Sequence, residues 1–119
     1  MRDEVRYAHR TKNSDFENFY NIMYGVREIK TKKEEQDFEA CYFAMCLLLP
    51  KESFLQTIEI LGGMDMVMRD FTRRQSLARF FNVEPRLVKV RMWDLLSQEE
   101  QKQQEQTAIK KIKTYNNKG

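Results

Sequence analysis

FEACYFAMCLLLPKESF, residues Phe38 to Phe54, decides the fold. Phe38, Cys41, Tyr42, Met45 and Leu49 recur in steps of three and four, the period of one helical face. Upstream, Thr31-Lys-Lys-Glu34 has the form of a capping box, in which a hydroxyl and a carboxylate satisfy helix-end N–H groups. Pro50 ends the helix, because it has no N–H to continue it, and is well suited to the start of another over residues 51–61. Gly62-Gly63 closes that second helix. The acidic pair Asp37 and Glu39 sits at the head of the apolar stretch. Two residues apart, these carboxylates diverge by about 200° on a helix, so one site cannot use both. Negative charge near a helix N-terminus is itself worth about 0.3–1 kcal/mol.

The pattern extends in both directions. Ser14-Asp-Phe-Glu17 reads as a capping box, followed by an aromatic face of Phe16, Phe19, Tyr20 and Tyr24 and a stop at Gly25. Helices are expected over 64–71, from a Thr72-Arg-Arg-Gln75 box to Phe81, and from Pro85 to Leu96. Ser97-Gln-Glu-Glu100 then opens a polar, Gln-rich helix marked by Ala108, Ile109 and Ile112, with residues 115–119 fraying. No segment has convincing strand alternation; 24–29 comes nearest. The expectation is an all-α, compact bundle of about five to six short helices with a polar C-terminal helix. Residues 1–97 form the body and 98–119 the tail.

Charge and composition narrow the function. The net charge is only +3, but residues 69–91 hold seven basic side chains against two acidic ones. No apolar run approaches the roughly 20 residues that cross a bilayer. The opening MRDEVRYAHR lacks the apolar core of a secretory signal, so a cytoplasmic location is expected. Cys41 and Cys46 are five apart on one helix, poorly placed to pair, and read as thiols in a reducing compartment. With one histidine, His9, the chain lacks the inventory of an ordinary zinc site, and no cofactor is expected.

SLARFFNVEPRLVKVRMWDLL (Ser76 to Leu96) carries a second pattern, that of a helix-turn-helix. Ala78 is small where two helices cross, and Asn82 tolerates the left-handed backbone of the turn. Arg91 stands where an apolar residue belongs, leaving Met92 to supply the packing. Arg73, Arg74, Arg86 and Lys89 are the candidate phosphate- or base-contacting residues if the unit reads DNA. Equally, it can be a packing unit that never touches nucleic acid.

Together, EEQDFEACYFAMCLLLPKESF and LARFFNVEPRLVKVRMWDL resemble the C-terminal half of the ImmA/IrrE family of zinc-dependent metallopeptidases, over about 34–96. The resemblance implies that an acid at the head of the apolar helix, Asp37 or Glu39, would complete a metal site. The family's His-Glu-x-x-His motif aligns only with YAHRTKN, placing His9 at the first histidine, Arg10 at the catalytic glutamate and Asn13 at the second histidine. Arginine is no general base at neutral pH. His9, Asn13, Asp37 and Glu39 therefore read as a degenerate metal site, and the chain as a non-enzymatic pseudo-metallopeptidase that captures another protein. The resemblance implies a regulatory setting in a phage, a mobile element or its bacterial host. The partner would then be a host or phage protein, such as a helix-turn-helix repressor. The expected contact residues are Phe16, Phe19, Tyr20, Tyr24, Ile109 and Ile112. A homodimer is also expected, because the family's missing strands leave apolar surface to cover. The alternatives are a helix-turn-helix DNA-binding regulator and an enzyme using His9, Asp37 and Glu39 with a metal other than zinc.

Overall fold

The computed structural model describes residues 16–118, with side chains as far as Ile112. These residues form six helices and no strand: α1 (16–23), α2 (Lys32–Leu48), α3 (Lys51–Ile60), α4 (Met64–Arg69), α5 (Phe71–Phe81) and α6 (Pro85–Lys118). The all-α expectation holds. Residues 24–30 are turn and coil, where Val26 and Arg27 both donate their N–H to the Asn21 carbonyl. Ser14 lies outside the described residues. Among these residues, no helix is long and apolar enough to cross a membrane.

One core joins α1 to α6. Phe19, Met45, Leu49, Phe54, Ile58, Val67, Leu77, Val88, Val90 and Met92 are all buried in it. At the head of α2, Thr31 Oγ1 accepts from the Glu34 N–H at 3.1 Å. Glu34 reaches back to the Lys30 N–H and also bonds Arg27, so the reciprocal arm of the box lands one residue early.

Two boundaries differ from expectation. Asp70, not Thr72, caps α5: its carboxylate accepts from the N–H groups of Thr72 (3.0 Å) and Arg73 (3.4 Å). An aspartate is at least as good a cap as a threonine and lies two residues earlier, so α4 stops at Arg69 instead of running on to Phe71. The second difference is at Ser97, which caps nothing, because α6 runs through it unbroken. No glycine or proline interrupts that stretch, and Gln, Glu and Lys are good helix formers. Burial changes there instead: Leu95 is buried, whereas every residue from Glu99 to Ile112 is exposed.

The turn between α5 and α6 follows the helix-turn-helix reading. Asn82 is left-handed (φ 57°), and the Val83 N–H closes onto the Ala78 carbonyl at 2.9 Å. Ala78 is buried at the crossing. Gly62 has positive φ, and a Cβ there would sit 2.8 Å from Arg73 Nη1. Its missing side chain leaves room for Arg73 to donate to the Leu61 carbonyl at the end of α3.

Candidate protein-binding surface

The first turns of α6 carry Arg86, Lys89, Trp93 and Leu96 along one face, in steps of three and four. Residues from α1 and the turn after it lie against this face. The Tyr24 and Trp93 rings meet edge to face at 5.2 Å. Lys89 Nζ stands 5.2 Å from the Trp93 ring centre, and the Arg86 guanidinium 4.6 Å from that of Tyr20. Tyr24, Trp93 and Leu96 remain 37–38% exposed, so an aromatic and aliphatic patch with a basic edge faces solvent. Trp and Tyr are the residues most often dominant in protein interfaces.

Of the expected contact residues, Phe16, Phe19 and Tyr20 are core, at most 6% exposed, and unavailable to a partner. Their spacing is that of a buried helical face, and α2 covers it: the Phe19 and Phe38 rings lie 5.1 Å apart. Tyr24, Ile109 and Ile112 are exposed. Trp93 and Leu96 were missing from the expectation. Their signal was the three- and four-residue spacing from Arg86 and Lys89.

The basic residues proposed for DNA are engaged within the chain. Arg73 pairs with Asp70 at 3.1 Å and caps α3. Arg74 caps α4 by donating to the Val67 and Met68 carbonyls. Arg86 pairs with Glu17 (3.1 Å) and Glu84 (3.3 Å), and the bond to Glu17 raises its pKa further. Tyr20 donates to Glu84 at 3.2 Å; burial and that carboxylate push its phenol pKa up.

Asp37 and Glu39 are exposed at the head of α2, and Asp37 lines a shallow hollow with Arg27 and Glu34. His9 and Asn13 lie outside the described residues. Among the described residues, no group of three or more His, Cys, Asp or Glu side chains is placed to hold a metal ion. Cys41 and Cys46 form no disulfide.

Behind the patch lies a polar network that joins α2 to α6. Arg91 is 5% exposed; its Nε donates to the Leu49 carbonyl at 3.0 Å and its Nη1 pairs with Asp94 at 3.2 Å. Tyr42 donates to the same carboxylate at 2.8 Å, and Gln98 Nε2 bonds both Asp94 and Tyr42. Arg91 therefore supplies a donor to the end of the LLLP helix, while Met92 fills the core as expected.

The network predicts an alkaline transition. Burial, and then the bond to Asp94, push Tyr42 up to about 12. An unfolded phenol ionises near 10, so the unfolded chain loses its proton first as pH rises. The contribution of Tyr42 is whole below about pH 10 and is lost between about 10 and 12. Denaturation midpoints are expected to fall across that window, less steeply in Tyr42→Phe. An unchanged slope in the variant would remove Tyr42 as a source; Tyr20, raised in the same direction, accounts for a residual fall.

Comparison with protein-family models, curated proteins and solved structures finds no match for this chain.

Proposed function

We propose that the chain is a non-catalytic regulatory domain that binds another protein, a pseudo-metallopeptidase related to the ImmA/IrrE family. On this reading it belongs to a phage or mobile element, or to its bacterial host, and acts in the cytoplasm. The observation that carries the protein-binding reading is the exposed Tyr24–Trp93–Leu96 patch with its Lys89 edge. The family assignment rests on the two quoted stretches of sequence and on the reduction of the zinc motif to His9, Arg10 and Asn13. Against the DNA alternative, the donors of Arg73, Arg74 and Arg86 are used within the fold, and acidic Glu17 and Glu84 share the surface with Arg86.

The test is capture of a partner by the tagged chain from nuclease-treated bacterial lysate, followed by titration of the purified partner. Trp93 is the sole tryptophan, so a partner that covers it shifts the chain's tryptophan emission to the blue. Trp93→Ala is expected to weaken capture by tenfold or more, as a cost of about 2 kcal/mol implies. Capture unaffected by Trp93→Ala would move the site elsewhere. Binding that disappears with nuclease, and in purified form weakens steeply between about 50 and 200 mM salt, would favour the DNA reading.

A further inference from the structure

The α6 face that carries Arg86, Lys89, Trp93 and Leu96 does not end at Leu96. Steps of four and three continue it to Glu100 and Gln103, both exposed. Along this line the chemistry runs from basic, through aromatic and aliphatic, to acidic. Lys89 and Glu100 stand about 16 Å apart along one unbroken helix, too far to meet within it. Among the described residues neither belongs to an ion pair; the Lys89 ammonium lies against the Trp93 ring instead. Arg86, by contrast, is already neutralised by Glu17 and Glu84. The line is also self-complementary. Turned end for end about the point between Asp94 and Leu95, it maps onto itself: Lys89 falls on Glu100, Trp93 on Leu96 and Arg86 on Gln103.

We propose that two copies of the chain pair antiparallel along this face of α6. Trp93 and Leu96 of each copy cover Leu96 and Trp93 of the other, and a Lys89–Glu100 ion pair closes each end. The pairing rests on the reading of the Trp93 patch as a protein-binding surface and names a second copy as its occupant, so self-association and partner capture compete for it. The contact is isologous and closes by a two-fold axis. A parallel arrangement would set Lys89 against Lys89 and Glu100 against Glu100, so charge selects the antiparallel direction. The exposed ion pairs set direction more than strength, which comes from covering Tyr24, Trp93 and Leu96 twice over. From Arg86 to Gln103 the overlap runs about 26 Å along each helix.

Sedimentation equilibrium of the full chain tests the pairing over about 1–100 µM, with Trp93 emission read on the same samples. The wild type is expected to pass from monomer to dimer in that range, its emission moving to the blue in step. Glu100→Lys should raise the midpoint concentration at least tenfold while helicity stays unchanged, because both ends then repel. Adding Lys89→Glu to the same chain should bring the midpoint back. A wild type that stays monomeric throughout overturns the pairing. So does a dimer indifferent to Glu100→Lys, one that Lys89→Glu fails to restore, or one that forms without moving the emission. Capture of a different partner, lost in Trp93→Ala, tests the surface itself, so a monomeric wild type sinks the pairing and leaves that reading standing.

Discussion

Arg91→Met is expected to destabilise the fold by about 3–5 kcal/mol, a large part of the roughly 5–15 kcal/mol available to a domain. Methionine has about the right length and fills the volume, so packing loss is not the main cost. The cost comes from what is left behind. Asp94, only 13% exposed in its side chain, keeps its charge without the guanidinium, and the buried Leu49 carbonyl loses its donor. Tyr42 and Gln98 still bond Asp94 but bring no positive charge. The double variant Arg91→Met/Asp94→Leu should recover much of the loss, because it removes the stranded carboxylate together with its partner. Urea denaturation of the two variants checks this. A single variant within about 1 kcal/mol of wild type would mean that the pair is solvated in solution.

Phe54→Ala is expected to cost about 3–5 kcal/mol, through lost apolar burial and the cavity left behind. Phe54 is fully buried, and its ring lies 5.8 Å from that of Phe81, so it ties α3 to the α5–α6 corner. Phe80→Ala removes the same atoms from a side chain 71% exposed and should change stability by no more than about 0.5 kcal/mol. Thermal unfolding of the pair separates the two residues clearly. Equal losses would mean that the Phe80 ring is covered in solution.

The helices were legible because each has a local signal: Thr31 as a cap, Pro50 as a break, Asn82 as a left-handed turn. Asp70 takes the cap expected of Thr72 for a local reason: two capping residues stand two positions apart, and the box spacing points to the later one. Ser97 failed differently. A capping box is necessary for some helix starts but does not end the helix before it, and nothing at residues 95–98 does. The surface was harder to read. The aromatic spacing of Phe16, Phe19 and Tyr20 is the same for a core face as for a docking face, and only the position of α2 distinguishes them. Arg91 was recognised as out of pattern, but its partners lie at Leu49, 42 positions away, and at Asp94 beside it. The i,i+3 spacing to Asp94 is a local rule, but none connects Arg91 to Leu49.

The six-residue α4 buries Val67 in the core, and its last carbonyls are held by a side chain that belongs to its neighbour. A helix so short does not persist alone, since nucleation costs more than one turn returns. Arg74 holds its last carbonyls, and Arg73 closes the end of the preceding α3, both from the first turn of α5. The segment from Leu61 to Asp70 is therefore a cooperative unit: its amides should exchange with deuterium together, at a rate set by release of the two guanidinium groups and not by fraying from its own ends.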